Sequence, residues 1–199
     1  MSSEQTAEAP RERLRQLVRQ DIRDRPFSEL STVAFHHEGG VLAGKALLSA
    51  LETARCATGT YDAIGALTAA AVPFTTAMMY VAATEGRNLD SFVLDFVFPG
   101  IKGPSIEGKR VVLVDAWLSE KSYIQTSSLV TLKNDGELNL DFGILTKLGA
   151  EVVAIAALVG DRGGSQGSPA HITVTDPVTE KSVVLPFLPV FQESEVSES

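Results

Sequence analysis

With 199 residues, 44% of them hydrophobic and 21% charged, the chain is long enough for one α/β domain with a substantial core. A net charge of −8 argues against a general nucleic-acid partner, which needs a basic surface. No apolar run approaches the ~20 residues of a membrane span, MSSEQTAEAPRERLRQ has no apolar stretch behind its charges, and the single cysteine, Cys56, excludes an internal disulfide framework and fits a reducing cytoplasm.

Residues 1–9 are polar and are expected to fray, as is the tail from Gln192 to Ser199. Pro10 followed by ERLRQLVRQDI predicts a helix that starts at the proline, carries Leu14, Leu17, Val18 and Ile22 on one face, and ends before Pro26. Arg11, Arg13, Arg15, Arg19, Arg23 and Arg25 are interleaved with acids, the pattern of a solvated helix face. STVAFHH is expected as a strand closed by Gly39-Gly40. VLAGKALLSALETARC follows as a helix, with Leu42, Ala46, Leu47, Ala50 and Leu51 at helical spacing and Cys56 as a small core residue. YDAIGAL is predicted as a short strand, Pro73 to Ala83 as an apolar helix, and LDSFVLDFVF as the next strand.

GKRVVLVDAW is apolar at consecutive positions, as a central parallel strand should be. SSLVTLKNDGELNLDF places two β-like runs around Asn134-Asp135-Gly136, which predicts an inserted hairpin near 127–141. GILTKLGA reads as a helix with a glycine stop, EVVAIAALVGD as a buried strand, and HITVTDPVTEKSVVLPFL as a C-terminal β-hairpin. Strands alternating with helices, with no internal repeat, imply one doubly wound, mostly parallel sheet over residues 1–199. In such sheets ligands sit beyond the carboxyl ends of the strands.

One of those ends is chemically marked. The strand VVLVD closes on Asp115, and the loop after it reads Ala116, Trp117, Leu118, Ser119, Glu120, Lys121, Ser122. A strand, an acid and a loop is how a phosphate-gripping site of a nucleotide-handling α/β protein begins, and such loops are rich in Gly, Thr and Ser. His36-His37-Glu38 is a weaker signal. Adjacent histidines on a strand point to opposite faces, so no metal site is expected there, only a polar strand end.

The order of these pieces resembles a type I phosphoribosyltransferase of the orotate phosphoribosyltransferase-like branch. The resemblance runs over residues 30–165, through YDAIGALTAAAVP, GRNLDSFVLDF, IEGKRVVLVD and LGAEVVAIAALVGDRGG. It implies the type I phosphoribosyltransferase fold and transfer of ribose 5-phosphate from phosphoribosyl pyrophosphate to a base. It also implies Mg²⁺ where a phosphorylated ligand is bound, and a homodimer.

The resemblance also implies three ligand-holding stretches, and each is altered. In the sugar-phosphate loop one of two acids survives as Asp115 and the other is Ala116. Ser119 and Ser122 still offer hydroxyls, Glu120 adds a negative charge, and Lys121 stands for a glycine. The pyrophosphate loop after YDAIG is Ala66, Leu67, Thr68, Ala69, Ala70, Ala71, with Thr68 as its one hydroxyl. Where the family has Arg and Lys before a mobile basic loop stand Asp95 and Phe96, with only Lys102 nearby. Trp117 is expected at a strand tip, stacking on a ligand or covering the site. Arg162 is expected to face a ligand or pair with Asp161. Phe96 and Phe98 are candidate interface residues.

A framework kept while three sites change implies a divergent member that has lost standard transfer and binds a phosphorylated sugar, a nucleotide or a protein partner. The alternatives are a transferase of altered specificity built on Asp115, Ser119, Lys121 and Ser122, or a scaffold.

Overall fold

The computed structural model describes residues 3–23, 30–54, 60–95, 100–118, 130–133, 137–140, 143–160, 170–175 and 180–197, with side chains for those outside 3–8 and 130–140. The helices are α1 (Ser3–Ile22), α2 (Ser31–Phe35), α3 (Gly39–Thr53), α4 (Val72–Thr84), α5 (Gly143–Lys147) and α6 (Glu193–Val196). The strands are β1 (Ala63–Ala66), β2 (Asp90–Asp95), β3 (Gly100–Lys102), β4 (Arg110–Leu118), β5 (Val130–Lys133), β6 (Glu137–Leu140), β7 (Glu151–Gly160), β8 (Ala170–Thr175) and β9 (Ser182–Gln192).

The nine described strands form one sheet in the order β3-β2-β1-β4-β7-β9-β8-β6-β5. The pairs β2–β1, β1–β4, β4–β7, β7–β9 and β6–β8 are parallel, and β2–β3, β8–β9 and β5–β6 are antiparallel. The expected C-terminal hairpin is β8–β9, and its second strand also lies parallel against β7. The expected inserted hairpin is β5–β6, which extends the sheet at its far edge.

The central strands are β-forming because they are buried on both faces. In β4 every residue after Arg110 is buried, and in β7 every residue after Val152. One face of the sheet packs Val112, Val114, Ala154 and Ala156 against Leu14, Val18, Leu47, Phe74 and Met78 of α1, α3 and α4. The other packs Val111, Leu113, Ile155 and Phe187 against Ile106 and Leu145, the latter on α5. Helices therefore lie on both faces, as a doubly wound sheet requires. No described helix is long and apolar enough to cross a membrane.

Two strand glycines are required by aromatic rings. A Cβ on Gly65 would stand 2.3 Å from Cζ of Phe92, its neighbour across the β1–β2 pair. A Cβ on Gly160 would stand 2.6 Å from Cζ of Phe187. Both rings are fully buried, so neither has room to move aside.

Three local expectations are corrected. STVAFHH is not a strand; its first five residues form α2. The cause is distant in sequence: Oδ2 of Asp21 in α1 accepts hydrogen bonds from the amides of Thr32 at 3.1 Å and Val33 at 3.4 Å, satisfying the helix N-terminus, and Val33 packs into the core. α1 does not start at Pro10; it starts at Ser3, and Pro10 lies inside it. Pro10 fixes a φ that suits the helix, and the one bond it removes is offset by the helix-forming run RERLRQL that follows it. The tail does not fray from Gln192. Gln192 and Glu195 form a reciprocal capping box for α6, and Val196 is buried.

The arginine-rich face of α1 is only partly solvated. Arg11 donates to Val190 O and to Glu195 Oε1, both at 3.0 Å, and its guanidinium lies 4.7 Å from the centre of the Phe191 ring. Arg19 donates to the Glu195 carbonyl at 2.7 Å. These contacts fasten the two ends of the chain together.

Candidate functional site

The topology marks one crevice. From β1 the chain leaves through α4 to β2 on one side, whereas β4 lies on the other side of β1 and is followed across the sheet by β7. The strand order reverses between β1 and β4, and ligands of open α/β sheets bind outside the carboxyl ends of the strands at such a point.

Two of the sequence-predicted residues meet there. Thr68 follows β1, Asp115 lies near the end of β4, and the Thr68 hydroxyl donates to Asp115 Oδ1 at 2.8 Å. The Ala116 amide donates to the same oxygen at 2.7 Å. β1 reaches Thr68 in register with β4, since the Leu67 amide bonds Val114 O at 2.9 Å. Thr68 then turns into a single 3₁₀ turn, Ala69–Ala71, ahead of α4.

Asp115 is 2% exposed. Burial pushes its carboxyl up to about 7, against the smaller opposing pull of the Thr68 hydroxyl and the Ala116 amide. This group therefore keeps its proton well above the pH at which an ordinary carboxyl has lost it. It can exchange a proton there, but it offers little fixed negative charge.

Ala116 is 1% exposed and its methyl belongs to the core beside Val114. An acid at 116 would be a second buried charge beside Asp115, so the alanine suits this strand.

Trp117 is the penultimate residue of β4. β4 continues through Leu118, Trp117 pairs with Val159 of β7, and its ring is buried in the core cluster with Leu188 and Phe191. Among the described residues its surroundings are those of a core side chain.

Lys102 lies on β3, and its Nζ stands 2.6 Å from Asp95 Oδ2. The expected basic neighbourhood is thus an ion pair on the β2–β3 hairpin. The candidates Ser119, Lys121, Ser122, Arg162, Phe96 and Phe98 lie outside the described residues, as does Cys56.

His36 and His37 follow a helix and not a strand, so they do not point to opposite faces. At the end of α2 the two rings approach to 4.4 Å between centroids, and ligand atoms of His36, His37 and Glu38 lie within 4.8 Å of one another. Their bonding is that of a helix cap. His36 Nδ1 accepts from the amides of Glu38 and Gly39, both at 3.2 Å, at the start of α3, and Glu38 pairs with Arg13 at 3.0 Å. The Nδ1 lone pair of His36 is engaged by those amides.

The comparisons with known proteins agree with this topology. No family model matches the chain. The orotate phosphoribosyltransferase of Streptomyces coelicolor is 31% identical over 147 residues, covering 71% of this chain and 70% of that protein. The Streptomyces avermitilis enzyme is 30% identical over 139 residues, covering 67% and 66%. The Mycobacterium tuberculosis orotate phosphoribosyltransferase, solved with inorganic phosphate, superposes with a TM-score of 0.59 at 20% identity, over 94% of this chain and 98% of that one. A phosphoribosyltransferase from Corynebacterium diphtheriae gives 0.57 at 19% identity over the same shares. The structural likeness therefore reaches past the aligned sequence, and it is a likeness of fold. Sequence and fold together identify this chain as a member of the orotate phosphoribosyltransferase-like family of phosphoribosyltransferases.

Proposed function

We propose that this is a divergent family member that does not carry out standard phosphoribosyl transfer and uses the crevice between β1 and β4 to bind a phosphorylated sugar or nucleotide. The observation that carries this reading is the closure of Asp115 on Thr68. Asp115 is buried, bonded to the Thr68 hydroxyl of the neighbouring loop, and holds its proton to higher pH than an ordinary carboxyl. A transferase of this type asks the strand-end acids to face the sugar as charge develops on it. Here Asp115 must first exchange its internal donor for the ligand. The Asp95–Lys102 pair supports the same reading, because it places a carboxylate beside the one nearby lysine that the sequence offered.

A second reading, an enzyme of altered specificity, draws on the same carboxyl. A group that titrates near neutrality is suited to proton transfer.

Thermal shift against phosphoribosyl pyrophosphate, ribose 5-phosphate, nucleoside monophosphates and orotate, each with and without Mg²⁺, separates the outcomes. A ligand at about 100 times its Kd stabilises by about 2.7 kcal/mol, or roughly 5–10 °C for a chain of this size. The proposal expects a shift with one sugar phosphate or nucleotide that disappears in Asp115→Ala. No shift with any of these compounds removes the crevice as a ligand site and leaves a protein partner as the remaining reading.

A further inference from the structure

We infer that His36, His37 and Glu38 form a site for a divalent transition-metal ion of the zinc class at the junction of α1, α2 and α3, and that the ion competes with the cap of α3. The site shares no residue with the crevice between β1 and β4, so it stands or falls apart from the proposed function.

The turn between two helices brings the donors together. α2 stops at Phe35 because His36 is extended, with φ −74° and ψ 133°, and Glu38 returns to helical geometry as the N-cap of α3. Across this turn the two imidazole rings stand 4.4 Å apart, and one donor atom from each of His36, His37 and Glu38 falls within 4.8 Å of the others. Two imidazoles and a carboxylate are a zinc donor set. Hard cations such as Mg²⁺ take oxygen ligands and do not suit it. Zinc bonds of about 2.0–2.2 Å put tetrahedral donors about 3.3 Å apart. The three atoms must therefore close in by about 1.5 Å. His37 is exposed and the other two are half-buried, so rotation about side-chain bonds can supply that movement.

Two contacts oppose the ion. His36 Nδ1 accepts from the amides of Glu38 and Gly39, both at 3.2 Å. A neutral imidazole that accepts at Nδ1 carries its proton on Nε2, so His36 binds an ion only by turning out of the cap. Both bonds lie at the long end of the normal range, so each is a weak hold on the ring. Arg13 of α1 donates to Glu38 Oε2 at 3.0 Å, with the two side chains 43% and 40% exposed. A pair so exposed is weak, and the bond leaves Oε1 of the carboxylate for the ion.

The test is the Zn²⁺ affinity of the full chain, read by competition with a chromogenic zinc indicator at about pH 7.5, where an ordinary histidine is neutral. The chain has three histidines, and the third, His171, lies on β8, so His171→Gln should leave the affinity unchanged. His37→Ala should weaken binding by roughly 100-fold, since losing even an outer partner of a metal ligand costs about 10–100-fold. His36→Asn keeps an acceptor for the two amides and removes the imidazole, so it should weaken binding as much while holding the wild-type Tm. Arg13→Gln releases Glu38 and should tighten binding about two- to fivefold. A large excess of Mg²⁺ should not displace the zinc. Wild-type affinity no tighter than that of His37→Ala would overturn the inference, as would an equal loss in His171→Gln. Binding kept in His36→Asn but lost in His37→Ala would overturn the competition between ion and cap.

Discussion

Replacing Asp115 with asparagine should make the protein more stable at high pH, not less. Asparagine keeps the shape and the oxygen that accepts from Thr68 and Ala116 but carries no charge. In the wild type the folded carboxyl titrates at about 7, against a model value of 3.8. A raised carboxyl means that the folded state holds its proton where the unfolded chain has released it. Stability therefore falls as pH rises from about 4 through 7 and levels off above 8. A shift of about three pH units corresponds to roughly 4 kcal/mol across that window. Urea denaturation of both proteins at unit steps from pH 4 to 9 isolates the effect, because every other titrating group is common to them. The asparagine variant should match the wild type within about 1 kcal/mol at pH 4 and exceed it by roughly 3–4 kcal/mol at pH 9, or about 6–16 °C in Tm for a chain of this length. A difference that does not change with pH would refute the burial argument. A difference of opposite sign would mean that the carboxylate is stabilised by charge in the folded state.

Thr68→Val removes the donor to Asp115 and should cost about 1–2 kcal/mol in urea, while moving the pH midpoint of the wild-type curve upward, since that hydroxyl lowers the carboxyl. Gly65→Ala drives a methyl into the Phe92 ring and should cost about 1–3 kcal/mol. Adding Phe92→Leu should recover part of that loss, and a double-mutant cycle with no coupling would argue against the contact. Glu195→Ala opens the capping box and releases Arg11. With that pair a third or more exposed, the loss should be about 1 kcal/mol, read by chemical denaturation.

The parts of the fold legible in the sequence are those whose cause is local. β1, β4 and β7 are continuous apolar runs, and a run buried on both faces can hardly be anything but a central strand. α3 and α4 carry their apolar residues at helical spacing. α2 was not legible, because STVAFHH has β-branched and aromatic residues and becomes helical only when Asp21, ten residues before its first helical position, supplies the missing acceptor for its amides. The tail was misread for the same reason, since Arg11 and Arg19 hold it from across more than 170 residues.

At the candidate site, Thr68 and Asp115 were each visible as lone polar residues at strand ends. Their bond was not, because it joins positions 47 apart. Asp95 and Lys102 were both noted, one as a reversed charge and the other as a surviving cation. Opposite charges at the two ends of a short hairpin were the signal that they would neutralise each other. The burial of Trp117 was not legible, because its neighbours Leu188 and Phe191 come from β9, about 70 residues later.

The most direct test of the central claim is a turnover assay with the wild-type chain, orotate, phosphoribosyl pyrophosphate and Mg²⁺, following loss of orotate and release of pyrophosphate together. With Asp115 closed on Thr68 and Asp95 beside Lys102, both should stay at the level of a protein-free control. Saturable release of pyrophosphate matched to orotate loss, and abolished by Asp115→Ala, would contradict the claim and make this chain a working orotate phosphoribosyltransferase.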